Sequence, residues 1–158
     1  MTPMTAPVKC AVEGPIDGVI LQRILSDLGI PHAEFYGGKG KNHLLSHLAK
    51  YNDSARHLKW VILLDLDQSA ECAPAYVRSL LPNQERGMHL RIAVRAVEAW
   101  LLADAERLAA FLGVPVSMVP ANPDMESDPK ATLVNLARRS RRREIREAMA
   151  PSPDSGRR

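Results

Sequence analysis

Trp60-Val61-Ile62-Leu63-Leu64-Asp65-Leu66-Asp67 is the stretch that decides the fold. A run of large apolar residues ends abruptly in one acid, and a second acid follows two positions on. An unbroken apolar run suits a strand buried on both faces, as in a parallel sheet. Working upstream, residues 8–12 (VKCAV) form a shorter run of the same kind, broken by Glu13-Gly14-Pro15. Asp17 can cap a helix reaching about Leu28, with Val19, Ile20, Ile24, Leu25 and Leu28 on its apolar face. Gly29 and Pro31 end it. Residues 33–36 read as a strand, stopped by Gly37-Gly38, and a helix carrying Leu44, Leu45 and Leu48 follows. Downstream, residues 72–81 look helical, 90–94 read as a fourth strand, and 96–112 read as one long helix ended by Gly113. Four prolines between 115 and 129 mark an irregular segment. Residues 130–149 read as a last, basic helix and 151–158 as a disordered tail. The alternation predicts an α/β domain over 1–150, with a Rossmann-like, mostly parallel, four-stranded sheet flanked by helices.

The chain has 158 residues, of which 46% are apolar and 25% charged. That balance excludes wholesale disorder and suffices for a real core. No apolar run approaches the roughly 20 residues of a membrane helix, and a secretory signal is not expected. Cys10 and Cys72 form no CxxC pair, so a disulfide or zinc-knuckle scaffold is not expected and a cytoplasmic location is. The net charge of +3 is unevenly placed. Residues 138–158 hold eight Arg and three acids, while the rest of the chain is slightly acidic.

Acids at strand ends are the first functional candidates, because sites in open α/β sheets gather at the carboxyl ends of strands. Glu13 follows the first strand, and Asp65 and Asp67 follow the third. The spacing of two turns both aspartates the same way. Converging carboxylates repel unless a cation neutralises them. Mg²⁺ or Mn²⁺ suits oxygen donors, and such a site is a tool for phosphoryl transfer. The plainer alternative is that these acids are only turn and cap residues.

These residues carry a resemblance. Val12-Glu13-Gly14-Pro15-Ile16-Asp17, then Leu63-Leu64-Asp65-Leu66-Asp67, resemble the Toprim domain of topoisomerases, bacterial primases and OLD-family nucleases. Gly37-Gly38-Lys39-Gly40-Lys41, Tyr51-Asn52, the stretch 91–104 (RIAVRAVEAWLLAD) and Asp128-Pro129-Lys130 extend it towards a bacterial Toprim-like family of unknown function. The resemblance implies that Glu13 acts as general acid or base and that Asp65 and Asp67 hold the metal. Ile16 stands where the family motif often has Ser or Thr. No candidate domain for a topoisomerase tyrosine fits within this length.

Further candidates surround this core. Glu98 is a fourth acid that could serve the metal, or a solvated helix charge. Trp100 reads as a core residue. Lys39 and Lys41 in the glycine-rich segment, and Lys130, could contact phosphate, although the segment is not a Walker A motif. His43 and His47 have a zinc-compatible spacing without further ligands nearby. Arg141, Arg142 and Arg143 lie in the basic run, which reads as a solvated face or as a sequence-independent contact to a nucleic-acid backbone. The leading expectation is a Toprim-type nuclease acting on DNA or RNA, in nucleic-acid processing or phage defence. Two alternatives stand beside it. One is a non-catalytic binding or assembly module, working as a homo-oligomer or with a partner protein that supplies substrate grip. The other is a haloacid-dehalogenase-type phosphatase, for which Asp65 would be the nucleophile, although that motif normally lies on the first strand.

Overall fold

The computed structural model describes residues 6–69 and 72–150. The chain divides into two compact units, Met1–Val94 and Arg95–Arg158. The predicted tail at 151–158 lies outside the described residues.

The first unit is α/β. Its strands are β1 (Val8–Val12), β2 (His32–Gly37), β3 (Trp60–Asp65) and β4 (Met88–Ala93). They form one sheet in the order β2-β1-β3-β4, and every pairing is parallel. Helices α1 (Pro15–Asp27), α2 (Lys41–Ser54) and α3 (Ala73–Leu80) make the connections. Alternation along the strands sorts side chains to two faces. Ala11, Ile62, Leu64 and Leu90 pack with Leu44 and Leu48 of α2 and Tyr76 of α3. Burying each such Leu or Ile contributes about 1.5–3 kcal/mol, so this layer supplies much of the stability.

The opposite face meets α1 at Gly18, where an added Cβ would touch Val12 Cγ2 and Phe35 Cδ1. On this side of the sheet α1 buries Asp17, Leu21 and Leu25. Val19 and Leu28, predicted on the apolar face, are 68% and 67% exposed instead. The helix also begins earlier than predicted, with Gly14 as its N-cap and Pro15 at its first position.

The second unit is helical. It contains α4 (Val97–Ala103), α5 (Ala105–Leu112), α6 (Pro129–Arg138) and α7 (Arg143–Met149), with two short 3-10 turns at Val116–Met118 and Pro123–Met125. Leu102, Leu112, Leu133, Leu136, Ala137 and Ile145 form its core. The single helix predicted over 96–112 is interrupted at Asp104, whose carboxylate accepts from the Arg107 N–H and caps α5. The helix predicted over 130–149 is broken as well. Ser140 is buried at the break, where its hydroxyl donates to Leu112 O and accepts from the Arg142 N–H. That buried hydroxyl competes with the helical ladder, which a sequence periodicity cannot register. Trp100, predicted as core, is 40% exposed, because α4 buries its Val97, Glu98, Ala99 and Leu102 side. Among the described residues, no helix is long and apolar enough to cross a membrane.

Two outcomes follow from the packing. Cys10 is fully buried in β1, and burial pushes its thiol up to about 11, whereas Cys72 is exposed. A thiol reagent at pH 8 is expected to label Cys72 alone in the native protein and both cysteines in denaturant; native labelling of Cys10 would contradict the packing. Gly37 has φ +90, and a Cβ there would collide with Val12 O. Gly37→Ala is expected to lower unfolding stability by roughly 1–3 kcal/mol or more, measurable by urea titration.

Candidate functional site

Parallel strands end on the same edge, and β1 and β3 are neighbours. Glu13 therefore leaves β1 beside the place where Asp65 closes β3. The sheet continues one residue further, through Leu66 N–H to Ala93 O. Asp67 then turns with φ 49, the one non-glycine residue at positive φ among those described. Aspartate tolerates that region because its short polar side chain can bond locally.

The glycine-rich segment reaches the same edge. Gly37, Gly38 and Gly40 all have positive φ, a conformation that costs glycine little. The chain is tied down there by Gly38 N–H to Val12 O and Gly40 N–H to Glu13 O. Gly40 caps α2, so Lys41 is the first residue of that helix. Its ammonium donates to Asp67 Oδ2 at 2.6 Å and to Ser69 Oγ at 3.1 Å, and lies 5.8 Å from the Tyr76 ring centre. Asp17 is buried at the third position of α1, where its carboxylate accepts from the Gly14 N–H at 2.6 Å. It thus holds the turn after Glu13 rather than capping a helix that starts at Asp17.

Glu13 is the electrostatic centre of this edge. Burial raises its carboxyl above the ordinary range, Lys41 pulls it back, Asp67 pushes it up, a backbone hydrogen bond from Asp65 lowers it, and Asp17 raises it again. Its Oε2 is buried and has no hydrogen-bond partner. An unpaired buried carboxylate oxygen is costly and calls for a donor or a cation. A shallow hollow of about 320 Å³, lined in part by Gly14, Gly18, Gly37 and Gly38, opens at the same end of the unit.

The predicted residues thus fall into groups. Glu13, Asp17, Lys41, Asp65 and Asp67 belong to one edge of the first unit. Lys39 is exposed in the turn before α2. Glu98 and Lys130 belong to the second unit and face each other, with Nζ to Oε1 at 3.8 Å and the Glu98 side chain only 4% exposed. Asp128 caps α6 through the Ala131 N–H, which places Lys130 in that helix's first turn. Arg141 and Arg142 lie in the break between α6 and α7, and Arg143 opens α7, paired with Glu147 at 2.6 Å. His43 and His47 are in tilted ring contact, their centres 4.4 Å apart. Sequence reasoning missed Ser69 and Tyr76, and the only signal for either was the hydroxyl two positions beyond Asp67. Among the described residues, no three or more His, Cys, Asp and Glu side chains are gathered closely enough to hold a metal ion. Comparison with known proteins gives no match: no family model, curated protein or solved structure matches the chain.

The raised Glu13 carboxyl has a consequence for stability. In the fold, the charged form is disfavoured relative to the unfolded chain. Glu13 therefore destabilises the protein once pH rises through its folded pKa, and the penalty vanishes below the ordinary glutamate range. With chelator present, Glu13→Gln is expected to raise the melting temperature at pH 7–8 and to give no gain near pH 3.5. A gain that is equal at both pH values would sink the electrostatic account.

Proposed function

We propose that the protein is a divalent-metal-dependent enzyme of phosphodiester chemistry on nucleic acid, of the Toprim nuclease type. The observation that carries this reading is the buried, partnerless Oε2 of Glu13 at an edge shared with Asp65 and Asp67. The donor set is all oxygen, which fits Mg²⁺ or Mn²⁺, and Mg²⁺ is commonly held by one or two carboxylates with waters and substrate phosphates completing its shell. Asp65 and Asp67 would hold the ion, with Glu13 at its side. Such an ion supplies Lewis-acid stabilisation of a phosphoryl oxygen.

The chain's own groups would do the rest. Glu13, with its carboxyl raised, is suited to pass a proton to or from the reacting oxygen. Lys41, freed from Asp67, would pair with a substrate phosphate, and Lys39 would meet the neighbouring one. Asp17 would keep the Glu13 turn in place. Arg141, Arg142, Arg143 and Lys130 would add sequence-independent backbone contacts. Both described cysteines are free, which suits work in a reducing compartment such as the cytoplasm. Self-association or a partner protein could supply further grip on the substrate.

The test is cleavage of single- and double-stranded DNA and RNA with Mg²⁺ or Mn²⁺. Asp65→Ala and Asp67→Ala are each expected to lower the rate at least 100-fold, and Glu13→Gln by about 10²–10⁴-fold, the usual worth of a positioned acid or base. Cleavage that survives the aspartate variants, or that needs no metal, would overturn the reading.

A further inference from the structure

A group of rings runs along α2, and only its Trp60 and Tyr51 belong to or pack against the core. His43, His47 and Tyr51 recur every fourth residue and so share one helix face. Their ring centres lie 4.4 Å apart for His43–His47 and 6.1 Å apart for His47–Tyr51, the second pair stacked at 30°. Tyr51 continues to Trp60 at 4.5 Å, and Trp60 to Tyr36 at 5.4 Å. Three of the chain's seven aromatic residues are thus concentrated in one ladder with two histidines. A cluster serving only the core would bury its rings. Here Trp60 is 4% exposed and forms the base, while Tyr36 is 43% exposed and both histidines are partly exposed.

Charge points to the kind of occupant. Lys9 Nζ lies 5.7 Å from the Tyr36 ring centre and 5.8 Å from that of Trp60. Lys41 opens the same helix, with its ammonium on Asp67 at the acidic edge. Cations beside exposed ring faces are the two components of a single-strand binding surface, where bases stack on rings and phosphates meet ammonium groups. Duplex DNA offers no unstacked base to such rings. The polarity of α2 matters as well. Its first residue is at the acidic edge, on Asp67, and Tyr51 is at the far end beside the start of β3.

We propose that the Tyr36–Trp60–Tyr51–His47–His43 ladder is a stacking track for single-stranded nucleic acid, leading along α2 towards the acidic edge. This rests on the proposed function and deepens it by naming the strandedness of the substrate. DNA and RNA share the chemistry that the track reads, and the binding arms separate them.

The test uses the full chain in chelator, so that binding is read without cleavage. Labelled (dT)12, (rU)12 and a 12-base-pair duplex are titrated at about 0.15 M salt. At least one single strand is expected to bind 10-fold or more tighter than the duplex. Tyr36→Leu and His47→Gln are each expected to weaken single-strand binding about 5- to 100-fold, the range for losing one base–ring stack, and to leave duplex binding unchanged. A second measurement needs no variant. An oligomer carrying 5-iodouracil, irradiated on the wild-type protein, is expected to crosslink within 36–60. Equal affinity for the duplex, unchanged affinity in both variants, or crosslinks confined to other segments would overturn the track. If the track fails while Asp67→Ala still abolishes cleavage, the catalytic reading stands alone. If the wild type binds no nucleic acid, both fall.

Discussion

A carboxylate drawn out of water at the end of a buried strand needs a counter-charge, and at this edge the nearby cation is Lys41. Its ammonium sits on Asp67 and also lowers the Glu13 carboxyl. The pair is not a pillar of stability. The Asp67 side chain is half exposed, and ion pairs in that setting contribute about 0–1 kcal/mol. Its importance is local, because it offsets the repulsion that Asp67 exerts on Glu13. Much of the backbone around the edge is arranged to deliver that lysine. The positive φ angles of Gly37, Gly38 and Gly40 fold the chain back over β1, and the start of α2 then points Lys41 across the sheet end. The apolar layer under α2 and α3 carries the stability that lets the edge remain electrostatically strained.

A resting ion pair of this kind also suits a group with two partners. The lysine is held by one carboxylate and one hydroxyl, both near solvent, and not by a closed buried network. Exchanging Asp67 for a phosphate oxygen would keep the ammonium in a charge-assisted hydrogen bond. The aspartate would then be released at the moment a second cation could use it. Glu13 is different. Its Oε2 has no such alternative partner, so its energy depends more steeply on what enters the edge.

The strands were legible because their signal is local. WVILL and VKCAV carry the continuous apolar character of a two-sided sheet, and the acids that follow them mark where it ends. Which helix face packs was less legible. On α1 the buried stripe is Asp17, Leu21 and Leu25, spaced four residues apart, and Val19 and Leu28 lie outside it. At Ser140 one buried hydroxyl, bonded to Leu112 twenty-eight positions away, interrupts a helix that the periodicity makes continuous. Lys41 and Asp67 are separated by twenty-six positions. Their contact depends on strand order, which no spacing encodes. The rings are the clearest case. Tyr36, Tyr51 and Trp60 look scattered along the chain, and only the crossover from β2 through α2 to β3 brings them together.

That crossover also relates the position of the rings to that of the acids. In a parallel sheet the connecting helix must run against the strands, so α2 starts where the strands end. Lys41 is therefore fixed at the carboxyl edge, and each helical turn from it, through His43 and His47 to Tyr51, steps back about 5.4 Å towards the start of β3. The arginines of the second unit follow no such line. Arg141 and Arg142 lie in an interhelical turn, Arg143 is paired with Glu147, and Arg146 donates to the Ser140 carbonyl. Two of these four already serve the second unit's own structure, and the turn holds no ring between its cations. A field of that kind attracts phosphate without ordering it. In the proposed reading, order along a strand comes from the rings, which follow α2 away from the acidic edge.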